Sequence, residues 1–121
     1  KSFPVESDEH YYQVARYVER NALRAGLVRR AEDWRWSSLW RRLHRSADEA
    51  QFLSDWPLPR PRSWTKYVNQ PQTEAELAAI RRSVLRGQPY GGDRWARTTA
   101  QRLGLESTFR PRGRPRRDSL L

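Results

Sequence analysis

The sequence contains no cysteine and no methionine. Without cysteine the chain has neither a disulfide framework nor a thiolate metal site. It also lacks an apolar run of the ~20 residues that cross a bilayer as a helix. Because the first residue is Lys1 rather than methionine, we expect the chain to be the C-terminal part of a longer protein.

Arginine is abundant, and acidic residues are too few to balance it. The formal net charge is +10, and every basic residue except Lys1 and Lys66 is arginine. Six tryptophans and five tyrosines accompany this charge. Arginine suits phosphate oxygens and stacks on bases, so the composition favours a nucleic-acid partner. The alternatives are an ordinary solvated basic surface or a membrane surface, and dispersal of the charge over several predicted elements argues against the membrane.

Residues 7–26 form the most regular segment, and their spacing predicts one helix. Ser7 is a suitable N-cap residue, with acidic residues in the first turn, where the helix dipole favours them. Gly26 is placed to end the helix as its C′ residue. Apolar residues at helical spacing predict the buried stripe, namely Tyr11, Val14, Ala15, Val18, Ala22 and Ala25.

A second stripe on this helix is polar and basic and contains one tyrosine. Tyr17 and Asn21 lie one turn apart and therefore share a face. Arg20 and Arg24 lie near that face and are candidates to bind DNA phosphates. The alternative is structural, since a tyrosine at such a border often packs its ring and leaves its hydroxyl in water.

The remaining chain is predicted to be helical segments joined by turns. Phe3 suggests a strand that Pro4 would restrict to a sheet edge. Thr73 and Glu76 form a capping box for a helix ending at Gly87, and a further helix runs over 93–103. This pair resembles a helix-turn-helix in outline. Further expectations are a helix from Asp33 to Leu43 wedged by Trp34, Trp36 and Trp40, a short helix over 48–53, and docking of Trp64, Tyr67 and Val68.

The C-terminal tail is basic, and it cannot form a core. Arg112, Gly113 and Arg114 match the centre of an AT-hook, a motif whose extended Arg-Gly-Arg lies in the minor groove of A·T-rich DNA. The alternative is a polybasic tail that binds phosphates without reading sequence. Candidate DNA-binding residues of the tail are Arg110, Arg112, Gly113, Arg114, Arg116 and Arg117.

Several stretches resemble the REP-associated tyrosine transposases of bacteria, which belong to the single-tyrosine HUH transposases. Ala15–Val28 (ARYVERNALRAGLV) resembles the catalytic helix of that family, and Ala31–Trp40 (AEDWRWSSLW) resembles its continuation. Ser83–Trp95 and Leu103–Arg117 are similar to its C-terminal extension. The resemblance thus covers most of the chain.

The resemblance implies a specific chemistry. In the family a His-hydrophobic-His motif on a sheet binds a divalent metal, Mg or Mn, and a tyrosine attacks DNA to give a 5′-phosphotyrosine link. The family's tyrosine corresponds to Tyr17 and its metal-completing amide to Asn21. This sequence has only the single histidines His10 and His44. The metal site is therefore expected only in the longer protein, and this fragment alone should be inactive.

The resemblance also implies an architecture and a setting. The chain would be a mainly α fragment of an α+β protein, the C-terminal part of a ferredoxin-like domain with a helical extension and a basic tail. We divide it into a catalytic-helix end (1–44), a proline-rich connector (45–72), a helical hairpin (73–105) and the tail (106–121). The expected partner is single-stranded or hairpin DNA in the bacterial cytoplasm. The alternative function is a non-catalytic, sequence-specific DNA-binding module.

Overall fold

The computed structural model describes residues 2–44 and 56–111, and these residues are mainly helical. The α-helices are α1 (Asp8–Glu19), α2 (Asn21–Arg24), α3 (Ser38–His44), α4 (Trp64–Asn69), α5 (Glu74–Arg86) and α6 (Asp93–Leu103), and the 3-10 helices are Ala31–Asp33 and Glu106–Phe109.

The predicted fold class is wrong for this chain, because the described residues form helices and no sheet. The extended N-terminal segment makes a single parallel bridge, between Val5 and Tyr90. Two backbone hydrogen bonds hold it, from Glu6 N–H to the Tyr90 carbonyl at 3.0 Å and from Tyr90 N–H to the Pro4 carbonyl at 2.8 Å. Pro4 has no N–H to extend the ladder. The α+β, ferredoxin-like expectation is therefore corrected to a helical fold.

The helix predicted over residues 7–26 is interrupted at Arg20, which separates α1 from α2. The Ser7 cap is confirmed, since its hydroxyl accepts the His10 N–H at 3.3 Å. The Gly26 stop is also confirmed. Gly26 has a φ of 76°, and Leu27 N–H returns to the Ala22 carbonyl at 2.9 Å in a Schellman arrangement.

The second predicted helix, from Asp33 to Leu43, starts later than expected. Ala31–Asp33 is a 3-10 turn, and α3 begins only at Ser38. The hydroxyl oxygen of the preceding residue, Ser37, accepts the Trp40 N–H at 3.0 Å at the start of this helix. Trp36 does not wedge this helix against α1, because its side chain is 70% exposed. Leu39, fully buried, takes the inward position instead. The helix predicted over 48–53 lies outside the described residues.

The core lies between the first helices and α4. Trp64 and Val68 of α4 are buried, which confirms the prediction that this segment docks. The centre is formed by four buried residues, Ala31, Leu39, Trp64 and Val68. Five partly buried residues pack around it, namely Tyr12, Ala15, Leu23, Trp56 and Tyr67. The predicted connector 45–72 thus contributes core residues, and the division into domains stays a prediction.

The α5–α6 pair has the predicted caps. Thr73 Oγ1 accepts the Glu76 N–H at 3.1 Å, and Gly87 ends α5 with a φ of 74°. Tyr90 then ties the pair to α1, because its hydroxyl donates to Gln13 Oε1 at 2.6 Å. None of the helices in the described ranges is both long and apolar enough to cross a membrane.

Candidate nucleic-acid interface around Tyr17

Tyr17 lies in the last turn of α1, on the side away from the core. Tyr12 and Ala15 pack against the buried cluster. At 3.6 residues per turn, Tyr17 points roughly 140–160° around the helix from both. Its side chain is half-buried. The ring is therefore not sealed inside the apolar cluster, which is the arrangement that would exclude a nucleophilic role.

Arg24 connects the two residues predicted to carry the chemistry. Its guanidinium carbon lies 4.0 Å from the centroid of the Tyr17 ring, a cation–π contact. One nitrogen donates to the Tyr17 backbone carbonyl at 3.2 Å, and another donates to Asn21 Oδ1 at 2.9 Å. The structure thus brings Tyr17, Asn21 and Arg24 together as predicted, with the guanidinium in the middle.

Positive charge accumulates at this place. Burial lowers the pKa of Arg24, the Tyr17 side chain raises it, and nearby Arg81 of α5 lowers it again. Arg81 is exposed, so the like charges do not lie in a closed cavity. An anion between α2 and α5 would be attracted by both guanidinium groups.

Arg20 is engaged in packing, contrary to a purely DNA-binding role. It donates to the Val68 carbonyl of α4 at 3.1 Å. Its pKa is lowered by burial first, and then by the charges of Arg16 and Arg24. A guanidinium has five N–H donors, so one bond to Val68 leaves others for a phosphate.

Arg16 is the residue whose role the sequence interpretation missed. It is only 7% exposed and donates to the carbonyls of Gln70 at 2.5 Å and Pro71 at 3.0 Å. Its guanidinium also lies 4.2 Å from the centroid of the Tyr67 ring. Its position four residues after Tyr12 places it one turn from a residue that packs against the core. Its carbonyl partners are distant in sequence, so spacing could not identify them.

The described residues do not fit a metal ion by themselves. They include no group of three or more histidine, aspartate or glutamate side chains arranged to hold one. His10 contacts Ser7 and Tyr90, and His44 contacts Trp40. The Asn21 oxygen already accepts the Arg24 guanidinium, whose charge would oppose a cation. Residues 2–44 and 56–111 thus do not complete a metal site by themselves.

The predicted DNA-binding residues of the tail fall mostly outside the described part of the chain. Arg110 is exposed just after the second 3-10 helix. The others, Arg112, Gly113, Arg114, Arg116 and Arg117, lie outside the described residues. The AT-hook interpretation and the polybasic alternative both stay predictions.

Comparison of the chain with protein-family models, with curated proteins and with solved structures gives no match. The similarity to the tyrosine transposases therefore stays a prediction from the sequence.

Proposed function

We propose that this chain is the tyrosine-bearing part of a DNA transposase that cuts single-stranded or hairpin DNA. The Tyr17 hydroxyl oxygen bonds to the scissile phosphorus, and the bond from phosphorus to the 3′ oxygen breaks. The proton lost by the phenol balances the one gained by the departing 3′ oxygen. The products are a 5′-phosphotyrosine and a free 3′-hydroxyl. The phosphotyrosine bond conserves the energy of the broken phosphodiester bond, so that a DNA strand can be rejoined.

The observation that carries the proposal is the position of Tyr17 outside the core, with Arg24 across its ring and Asn21 joined to Arg24. A cation at this point offsets the repulsion between an approaching phosphate and an electron-rich oxygen. We propose that the divalent metal, Mg or Mn, is held mainly by histidines elsewhere in the longer protein. Such a protein would act on DNA in the bacterial cytoplasm.

Covalent attachment of DNA tests this proposal. The longer protein would be incubated with a labelled single-stranded hairpin and Mg or Mn, and the adduct resolved on a denaturing gel. Tyr17→Phe should remove the adduct completely, because phenylalanine has no nucleophilic oxygen. Tyr11→Phe is the matched control, since Tyr11 is a half-buried tyrosine of the same helix that contacts Trp56 instead. Adduct formation that survives in Tyr17→Phe would overturn the proposal.

A second candidate is a DNA-binding module without catalysis. The net charge of +10 and the helical pair α5–α6 favour it. It predicts salt-sensitive DNA binding that is unchanged in Tyr17→Phe, and no adduct from the unmodified protein. Formation of the Tyr17 adduct would show that the protein does more than bind DNA, and would reject this candidate as a complete description. The two functions are compatible if α5–α6 and the tail hold the DNA that Tyr17 cuts.

A further inference from the structure

A concave groove separates the Arg20–Glu32 segment from α4. Its volume is about 570 Å³. Within residues 2–44 and 56–111, four cationic side chains line it against one carboxylate, that of Glu32. The cations are Arg20, Arg29, Arg30 and Lys66. The cations come from separate parts of the fold, so the groove gathers charge that the sequence disperses.

The one carboxylate of the groove is engaged by an amide. Both Glu32 oxygens lie 3.2 Å from Asn69 Nδ2. The Asn69 oxygen in turn accepts the Ala31 N–H at 2.8 Å, and its nitrogen also donates to the Thr65 carbonyl at 3.0 Å. Asn69 therefore fixes the groove floor, which joins α4 to the first 3-10 helix.

The cations of the groove are left without acidic partners in the described part of the chain. The ion pair found there is Arg97–Asp93, which lies on α6. Arg29, Arg30 and Lys66 are exposed, while Arg20 is fixed in place by its bond to the Val68 carbonyl. Four cations against one carboxylate leave an excess of positive charge, and a concave, low-dielectric wall focuses the resulting potential into the groove. A merely solvated basic surface would instead spread such side chains over a convex face.

We propose that this groove is a second phosphate-binding site, which holds the backbone of single-stranded DNA beside the strand position that Tyr17 attacks. The proposal rests on the proposed function for its choice of ligand. Arg20 lies three residues beyond Tyr17, about 5 Å along a helix at 1.5 Å per residue. A strand bound at Arg20 would therefore lie within about one helical turn of Tyr17 along the chain.

The size and lining of the groove indicate how it would bind. A volume of several hundred Å³ suits one small ligand, and hence about one or two nucleotides of a flexible strand. Leu23 and Thr65 add apolar surface for sugar or base, and no aromatic ring among the described residues lines the groove for base stacking. Its contacts would be mainly with phosphates, so binding should depend on salt and little on sequence.

Binding of fluorescent oligo-dT to the 121-residue chain tests the proposal. The groove variant combines Arg29→Gln, Arg30→Gln and Lys66→Gln. The matched control combines Arg35→Gln, Arg41→Gln and Arg62→Gln, three exposed arginines that lie outside both the groove lining and the α5–α6 pair. Both variants lose the same charge and keep the basic tail. We expect the groove variant to bind at least about tenfold more weakly, and its log–log salt slope to fall by about 2, at ~0.7 per phosphate contact.

A second measurement needs no substitution. Titration of oligo-dT into the isotope-labelled chain should shift the NMR signals of Arg29, Arg30 and the Asn69 side-chain amide, and leave those of Arg35 and Arg41 in place. Equal losses in the two triple variants, or shifts confined to the tail, would overturn the proposal. The proposal would also be overturned if poly-glutamate competed for the groove as strongly as unlabelled oligo-dT does. Groove-dependent binding that is tighter for duplex DNA than for single-stranded DNA would overturn it as well.

The two proposals fail separately. If Tyr17→Phe keeps the adduct but the groove variant loses oligo-dT binding, the cleavage assignment falls and the groove stands. If the adduct depends on Tyr17 while both triple variants bind alike, the groove assignment falls and the nucleophile stands.

Discussion

Arginines on α1 and α2 differ in what they contact, although the sequence presents them as one basic stripe. Arg16 and Arg20 donate to carbonyls at the C-terminal end of α4, where partial negative charge accumulates. Arg24 lies on the Tyr17 ring instead. Helical spacing correctly predicted that Tyr17, Asn21 and Arg24 are neighbours, because that relation is local. It could not predict which guanidinium groups are used in packing, because their partners lie about 50 residues away.

The stability contributed by Tyr90 should depend on pH. Its side chain is 6% exposed, and burial, followed by the charge of Glu76 and Tyr67, raises its pKa to about 12 from 10.0. The fold thus favours the neutral phenol, whose contribution to stability is complete below pH 10 and is lost as pH rises to about 12. Two pKa units correspond to roughly 2–3 kcal/mol.

Urea unfolding of the wild type and Tyr90→Phe at pH 9 and pH 11.5 measures this contribution. Tyr90→Phe should be less stable at pH 9, because the hydrogen bond to Gln13 is lost. Its free energy of unfolding should then fall less than that of the wild type between the two pH values. Identical falls in both proteins would show that Tyr90 is not the responsible group.

At the scale of elements, Glu19 joins three helices. Its carboxylate is 6% exposed, accepts the Trp64 indole N–H of α4 at 2.6 Å and the Ser38 hydroxyl of α3 at 3.0 Å. Both donors are neutral groups. A buried carboxylate held in this way fixes the angle between α1, α3 and α4 as well as their packing.

Glu19→Ala should lower the free energy of unfolding by about 2–3 kcal/mol, since buried donors without acceptors cost about 1–3 kcal/mol. Glu19→Gln keeps one carbonyl oxygen and should lose about half as much. Chemical denaturation measures both, with Glu9→Ala as the control. Glu9 is exposed in the first turn of α1, so its loss should stay below about 1 kcal/mol. Equal effects of Glu19→Ala and Glu9→Ala would contradict the account.

The residues that cap and end the helices were predictable from the sequence, whereas the interruption between α1 and α2 was not. Ser7, Thr73, Gly26 and Gly87 act through bonds within a few residues, so their residue types alone identify them. The break at Arg20 coincides with Arg24 donating to the Tyr17 carbonyl, a competition between side chain and backbone that periodicity does not report.

At the scale of the whole molecule, the sequence predicted helices but placed them in the wrong kind of fold. The expected sheet depended on the resemblance, whereas in the described residues the N-terminal segment forms one isolated bridge, between Val5 and Tyr90. The basic groove was also beyond sequence reasoning. Arg29 and Arg30 are adjacent in the sequence, but nothing local places Lys66 opposite them.

The tail makes a separate prediction about the whole chain. Deleting residues 112–121 removes four arginines, so the log–log salt slope for single-stranded DNA should fall by about 3, at ~0.7 per phosphate contact. Gly113→Ala is the finer test, measured on A·T-rich and G·C-rich duplexes. An AT-hook would lose its preference for A·T, because the added methyl clashes in the minor groove. A polybasic tail would show no preference to lose.

The most direct test of the central claim is to identify the residue that carries DNA. The protein, supplied with the proposed histidine-bearing part, would be reacted with a single-stranded substrate and metal, digested with trypsin and nuclease, and analysed by mass spectrometry. Cleavage after Arg16 and Arg20 releases the peptide Tyr17–Arg20. The account predicts a nucleotide phosphate on this peptide, at the tyrosine. A nucleotide on any other residue, or DNA cut without any covalent protein–DNA link, would contradict it.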